Sequence, residues 1–504
     1  MVAMVALSDA GSMKDRAADW RMGAVVYQVF VDRFAPPASL ESKRKWIKPP
    51  RTLKNWSETP KAGHLDSNLG LWTHELEFWG GDLASTSGKL DYIQNLGADV
   101  LYLTPIHQSF TNHRYDAQNF AKIAPELGTR ADVKHLAQNL HQRNMKLMLD
   151  GVFNHMGQTS PKFQDALHNP KSNFRSWFFL GNQYPLGYRP YAGAANLPGI
   201  RLESKSVRNY LWNNKDSIVK AYLADGVDGW RLDVAFELGP TYLKEITDVA
   251  HHAKPGSAVV GEISGYPSGW FPAVDGVFNF FPFALTQAML KGSMSGGRVG
   301  GSLANMVTDA GIENLLRSWI HLDNHDTARL ASTLPQIEDR RIAVAMQFTL
   351  PGSPVIYYGS ELGMAGSGDP ENRAPMRWDL VNPSNPDLGW MHKMISIRKA
   401  HPALKYGDFA ALQTDRLLAY IRTTGKVREN ILVVVNPTQA SVTETFPSRM
   451  GRLMSWGELQ DLISGVKIRS KTGMIDITVP PRTVQIYAPI IKQDHGYSPY
   501  NRIK

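Results

Sequence analysis

From residue 24 to about residue 400, short apolar runs alternate with longer stretches in which apolar residues recur every three or four positions. The short runs are Ala24 to Val31, Asp99 to Thr104, Lys146 to Phe153, Val227 to Val234, Ser257 to Gly261, Gly276 to Asn279, Ser318 to Leu322 and Pro354 to Tyr358. They predict eight strands, because each is rich in Val, Ile and aromatic residues and bounded by Gly, Pro or Asn. The intervening stretches predict helices over Leu83 to Leu96 (closed by Gly97), Ala131 to Arg143, Ser206 to Ala224, Pro240 to Ala253, Glu338 to Leu350 and Gly389 to Ala400, with a mostly helical region up to Asp309. Eight strands, each followed by helix, predict a closed (β/α)8 TIM-type barrel over residues 24–154 and 202–400. An open doubly wound sheet would place a glycine-rich phosphate turn after its first strand, and Asp32-Arg33-Phe34 stands there instead.

The alternation is interrupted twice. A long Pro-, Lys- and Trp-rich loop follows the first strand and runs to about Gly81. Residues 155–201, after the third strand, are rich in Gly, Pro, Asn and aromatics and too long for an ordinary connection, so they predict a small inserted, functional domain. From His401 the texture changes to short alternating runs (Leu417 to Arg422, Ile431 to Asn436, Met474 to Val479, Thr483 to Ala488). These predict a C-terminal antiparallel β-sandwich domain over 401–490, flanked by an N-terminal extension (1–23) and a loosely held polar tail (491–504).

Within the fourth run, Arg231 and Asp233 lie two apart and therefore on one face of the strand. A buried parallel strand is nearly all apolar, so this pair is either a satisfied internal ion pair or a carboxylate held by an arginine at the carboxyl end of a barrel strand. The other runs end in the same way. Asp150 and then Asn154-His155 follow the third, Glu262 the fifth, and His325-Asp326 the seventh, which brings carboxylates, histidines and an arginine to one rim.

Composition narrows the chemistry. The 504 residues carry 55 basic and 46 acidic side chains, a net charge of +9, with no run of five or six like charges. Charge so dispersed argues against a nucleic-acid surface, and the absence of any long apolar window argues against a membrane span. Cysteine is absent, which excludes disulfides and thiolate sites, and the first ten residues make no convincing signal peptide, so a cytoplasmic location is expected. Several carboxylates, no phosphate loop and 13 tryptophans with 18 tyrosines suit cleavage of glycosidic bonds, in which one carboxylic acid protonates the leaving oxygen and another carboxylate meets the oxocarbenium-like centre. Metal-assisted hydrolysis is the competing chemistry, but no HExxH or comparable cluster is present.

Four segments carry a family resemblance: Leu149-Asp150-Gly151-Val152-Phe153-Asn154-His155, Gly229-Trp230-Arg231-Leu232-Asp233, Val260-Gly261-Glu262 and Leu322-Asp323-Asn324-His325-Asp326. In this order they resemble the signature segments of the α-amylase superfamily of glycoside hydrolases (family 13), over roughly residues 24–490. The resemblance implies a retaining hydrolase of α-glucans, cyclodextrins or gluco-oligosaccharides that works through a covalent glucosyl-enzyme. Asp233 would be the nucleophile, Glu262 the general acid/base, and Asp326 the third carboxylate, which fixes sugar hydroxyls. Arg231 would orient Asp233, with Asp150 as its support. His155 and His325 would bind hydroxyls of the attacked sugar, and Tyr115, in His113-Arg114-Tyr115-Asp116, would stack beneath it. A retaining pair stands about 5 to 5.5 Å apart, Arg231 is expected to lower the pKa of Asp233, and Glu262 is expected to keep a raised one.

The segments Gly359 to Met364 and Asp369 to Asp379 resemble the neopullulanase, cyclomaltodextrinase and α-glucosidase group, which implies that Asp369 and Arg373 touch sugars beyond the attacked one. Three departures stand against that group. Ser264-Gly265 occupies the place of Trp-His after the acid/base, Arg201 ends the segment that usually closes with Asn, and no separate β domain precedes the barrel. Linkage preference, linear or cyclic substrate and oligomeric state therefore stay open. So does a glucosyl- or maltosyl-transferring enzyme with the same catalytic residues; a non-catalytic carbohydrate-binding barrel is the remote alternative. No cofactor is required; a structural calcium would use Asn154, whose other reading is a hydrogen bond at a strand end.

Overall fold

The computed structural model describes residues 8–491 and Tyr500; the first seven residues, and the tail from residue 492 apart from Tyr500, lie outside the described residues. Eight parallel strands close into a barrel: β1 (Val26–Val29), β2 (Val100–Leu103), β3 (Lys146–Gly151), β4 (Gly229–Leu232), β5 (Ala258–Gly261), β6 (Gly276–Asn279), β7 (Trp319–Ile320) and β8 (Ser353–Tyr357). Each pairs with its sequence neighbours, and β8 closes on β1 with Val26 opposite Val355. The strands are shorter than their apolar runs because the flanking residues leave the ladder to enter loops that carry polar groups.

Alternation along each strand divides the side chains between the helices outside and the barrel axis inside. Val26, Val100, Met148, Ala258, Val260, Phe278, Trp319 and Val355 make an apolar plug within the barrel, with Trp20 of the N-terminal segment packed against it. Above this plug the inward positions turn polar, with Gln28, Tyr102, Asp150, Arg231 and His321 all buried. A polar layer on an apolar floor is what places reactive groups at the carboxyl end of the barrel.

Several predicted helices are broken. Leu83 to Leu96 is two helices, Leu83–Ser87 and Leu90–Leu96; the second ends at Gly97, whose left-handed φ of 104° an L side chain would resist. The stretch Ser206 to Ala224 is helix at Lys205–Arg208, a π turn at Asn209–Asn213, then helix at Ile218–Ala224. Asn213, Asn214 and Asp216 sit in that interruption, residue types whose side chains compete with the helical backbone. The helix read from Pro240 begins earlier, at Ala235–Ala253, and is kinked at Gly239, just before the proline.

The inserted segment carries the helix Pro161–His168 and a hairpin of Pro190–Tyr191 with Ala194–Pro198. The strand Ala194–Pro198 lies along residues 154–158, through bonds from Met156 N–H to the Pro198 carbonyl and Gln158 N–H to the Asn196 carbonyl. The loop after β1 is also more ordered than its composition predicts. It contains a small hairpin, Leu65–Asp66 with Leu71–Trp72, whose Gly70 packs so closely on the inserted segment that a Cβ there would lie 3.0 Å from the Ala195 methyl.

Beyond the barrel, eight strands form one antiparallel sheet: β9 (Asp408–Ala411), β10 (Leu418–Thr423), β11 (Ile431–Asn436), β12 (Val442–Pro447), β13 (Glu458–Asp461), β14 (Lys467–Lys471), β15 (Met474–Val479) and β16 (Thr483–Pro489). Its order is β9-β10-β11-β16-β13-β14-β15-β12, folded over a second core that includes Ile421, Val434, Phe446, Leu459 and Ile477. Three of these strands (β12, β13, β14) carry too many polar residues to announce themselves in sequence, and β9 is too short to show a pattern. Among the described residues no helix is long and apolar enough to cross a membrane.

Gly229 faces the barrel axis where β3, β4 and β5 meet, and a Cβ there would overlap the Ala258 backbone and the Met148 sulfur. Gly229→Ala is expected to cost about 1–3 kcal/mol through overpacking, read as a lower thermal midpoint. An unchanged midpoint would mean that the barrel wall yields at this point.

Candidate active site

The site is built on β4. Register places Arg231 directly opposite Asp150 of β3, and Leu232 opposite both Gly151 of β3 and Gly261 of β5. The residues that follow, Asp233 and Glu262, therefore leave adjacent strands at one level, each anchored by its own N–H: Asp233 to the Gly151 carbonyl, Glu262 to the Leu232 carbonyl. Arg231 is completely buried and reaches all three acids, with Nη1 2.7 Å from Asp150 Oδ1 and 2.8 Å from Asp233 Oδ1, and Nη2 2.9 Å from Glu262 Oε2. The next residue, Val234, sits at φ 47°. That left-handed conformation is costly for a β-branched residue, and it delivers the Val234 N–H to Glu262 Oε2 at 2.9 Å.

Asp150 is held from below by the hydroxyls of Tyr102 (2.6 Å) and Tyr115 (3.0 Å), both donating to Oδ2. Burial, against the charge of Arg231, pushes Asp150 above the usual carboxylate range. Arg231 lowers Asp233 as expected, but it is outweighed. Burial raises Asp233 well above its ordinary value, and the charges of Glu262, Asp150 and Asp326 add to it while Arg231 opposes. Asp150 and Asp233 thus sit against one guanidinium, and burial of each outweighs its charge.

Most of the other candidates join this centre. Tyr115 and His325 stack with centroids 5.3 Å apart and planes 4° from parallel, and their polar ends bond to each other. Gln28 of β1 lies 2.9 Å from His325 Nδ1. Asp326, the most open of the acids at 45% side-chain exposure, lies 3.0 Å from His325 Nε2 and 3.2 Å from Arg373 Nη2. Arg373 in turn donates to the His325 carbonyl (2.9 Å) and pairs with Asp369 at 3.1 Å. Burial pushes Asp369 up, but the hydrogen bond from His74 and the charges of Arg373, His74 and His113 hold it at about 2. His155, on the other side, stacks against Tyr191 of the inserted segment at 4.9 Å and 12°.

Asn154 stands apart from the catalytic cluster. Its amide donates to Glu237 Oε2 at 3.3 Å, and Ile200 N–H bonds its carbonyl. Calcium takes six to eight oxygens, and among the described residues no group of three or more His, Asp or Glu side chains converges to hold a metal.

Sequence reasoning passed over four residues of this site. Gln28 and His321 are polar residues at inward positions of apolar runs, a signal that was present in the pattern. His74 and Tyr191 lie in segments with no periodicity and come to the site only through tertiary contacts.

A parallel eight-strand barrel with carboxylates at the carboxyl ends of neighbouring strands, bridged by one arginine, is the architecture of a glycoside hydrolase. The family model "Alpha amylase, catalytic domain" matches residues 28–257 and 300–391, and the chain belongs to that family and is a glycosidase. It is 29% identical to neopullulanase 2 of Thermoactinomyces vulgaris over 92% of this chain and 77% of that protein. Similarity to a Bacillus cyclomaltodextrinase is 31% identity over 84% of this chain and 74% of that one. The cyclic α-maltosyl-(1→6)-maltose hydrolase of Arthrobacter globiformis, in complex with maltose, superposes with a TM-score of 0.78 and 26% identity, over 93% of this chain and all of the other.

Burial, with a small contribution from His113, lowers His155 to about 3, and burial lowers His321 to about 3. In the unfolded chain both protonate near the ordinary histidine value of about 6.5. Between these limits the unfolded state binds more protons, so stability rises with pH and falls as pH drops from 6.5 toward 3. The thermal midpoint is expected to decline over that range, and less steeply in His155→Gln; a wild-type midpoint flat from pH 7 to pH 4 would contradict neutral burial of these rings.

Proposed function

We propose that the protein hydrolyses α-glucans or α-gluco-oligosaccharides with retention of anomeric configuration. The observation that carries this reading is the single guanidinium of Arg231, which touches both Asp233 and Glu262. One arginine can hold two carboxyls from adjacent strands only when they are close, as a retaining pair must be. In the first step the Asp233 carboxylate attacks the anomeric carbon while Glu262 gives its proton to the glycosidic oxygen; the C–O bond breaks and a glucosyl ester forms. In the second, Glu262 takes a proton from water, the water oxygen bonds to the anomeric carbon, and Asp233 leaves as carboxylate. Asp326, with His325 and Arg373 at its oxygens, faces the sugar hydroxyls, and the Tyr115–His325 stack lies beneath the attacked ring. Asp369 and Arg373 hold the next unit, and His155 and Tyr191 line the opposite wall.

One observation favours transfer to a second sugar alongside hydrolysis. Gly265, just beyond Glu262, has no atom within 4 Å of where a side chain would begin, and Tyr266 is exposed next to it. An open leaving-group side admits a sugar hydroxyl as well as water.

A time course with maltotetraose, a cyclodextrin, pullulan and an α-1,6 oligosaccharide separates these readings. Products only shorter than the substrate are expected, with the rate lowered at least about a thousandfold in Asp233→Asn. Products longer than the substrate would shift the assignment to transfer, and full activity in the variant would overturn the role of Asp233.

A further inference from the structure

The hairpin Leu65–Asp66 with Leu71–Trp72 lies between the loop that carries Tyr115 and the inserted segment. On the barrel side, the chain that follows it is tied down by Asn112, whose amide donates to the carbonyls of His74 and Glu77, three residues before Tyr115. On the other side Gly70 abuts Ala195 of the inserted segment. Between these anchors Trp72, 47% exposed, stacks on His74 with centroids 6.0 Å apart and planes 26° from parallel. Leu65, its cross-strand partner, is 56% exposed.

His74 is fixed by its other nitrogen: Gly63 N–H donates to Nδ1 at 3.1 Å, so Nε2 carries the proton and faces Asp369 Oδ2 at 3.6 Å. An unbroken line of contacts then runs from Trp72 through His74, Asp369 and Arg373 to Asp326. An indole face left open to solvent, beside a carboxylate and an arginine that present hydrogen-bonding atoms, suits a glucose unit, whose ring faces are apolar and whose rim is hydroxylated. Two exposed apolar side chains on a small surface hairpin have no part in the core, so their placement there has a role outside folding.

We propose that Trp72, carried by the hairpin 65–72, is a stacking platform for a glucose unit beyond the one held by Asp369 and Arg373, and so sets a preference for longer α-glucan chains. This rests on the hydrolase reading above. Asp369 and His74 orient the hydroxyl rim, Trp72 covers one ring face, and the contact of Gly70 with Ala195 keeps the platform at a fixed distance from the opposite wall.

The test is the chain-length profile of kcat/KM over linear malto-oligosaccharides of two to seven units, for wild type, Trp72→Ala and Trp72→Phe. The ratio of the longest to the shortest substrate is expected to fall about tenfold in Trp72→Ala, through KM for the long chains, as the loss of one aromatic face against a ring would give. Trp72→Phe is expected to restore most of the ratio. An equal fall for every length would mark a structural role and overturn the proposal, as would an unchanged profile. A wild type active on these substrates with either of those outcomes refutes the platform alone, whereas a wild type inert toward every α-glucan refutes the hydrolase reading and the platform with it.

Discussion

Everything at the catalytic rim depends on one buried cation. Arg231 has no exposed atoms, and taking its charge out of water costs several kcal/mol unless close partners repay it. Asp150, Asp233 and Glu262 do so together, and burial notwithstanding, the charges of Asp150 and Glu262 hold the guanidinium well above its ordinary pKa. The same contacts fix where the acids are. Because Arg231 and Asp150 are ladder partners on β4 and β3, the cation is centred before either reactive carboxyl is placed, and Asp233 and Glu262 then take positions set by the ends of β4 and β5. The strained Val234 and its bond to Glu262 complete the fixation. Deleting one member of such a buried set leaves the rest uncompensated, at about 3–5 kcal/mol; a site of this kind is rigid because its parts are costly to separate.

Rigidity in the barrel contrasts with the way the cleft is walled. Two segments outside the barrel strands border the candidate site. One is the inserted segment, whose turn at Ala192 (φ 47°) and Gly193 (φ 78°) presents Tyr191 to His155. The other is the hairpin 65–72 from the loop after β1, which meets the inserted segment at Ala195. The candidate catalytic groups thus sit at strand ends, where positions are fixed by register, and these two segments are connections whose length varies at little cost to the core. The relatives named neopullulanase, cyclomaltodextrinase and cyclic maltosyl-maltose hydrolase fit that division, a shared barrel under differing names.

Much of this was legible in the sequence. The eight apolar runs could be read because buried parallel strands exclude polar residues, so Arg231, Asp150 and Glu262 stood out at their ends. The direction of the Asp233 pKa could not be read. Arg231 is two residues away and visible, whereas Glu262, Asp150 and Asp326 act from distant segments and, with burial, outweigh it. His74, Tyr191 and Trp72 were hidden for a similar reason: aperiodic loops carry no signal of where their side chains end up. The polar strands β12, β13 and β14 were missed because they have no continuous apolar run, and Val442–Pro447 buries only alternate positions; β9, Asp-Phe-Ala-Ala, is too short to show a pattern.

Arg231, in contact with both Asp233 and Glu262, would set them at the spacing of a retaining pair. The most direct test is the anomeric configuration of the first product, followed by proton NMR in the minutes before mutarotation equilibrates the sugar. The account predicts that the α anomer accumulates first from an α-linked substrate. Initial accumulation of the β anomer would mean single displacement by water, with the two carboxyls too far apart for Asp233 to reach the anomeric carbon, and would contradict it.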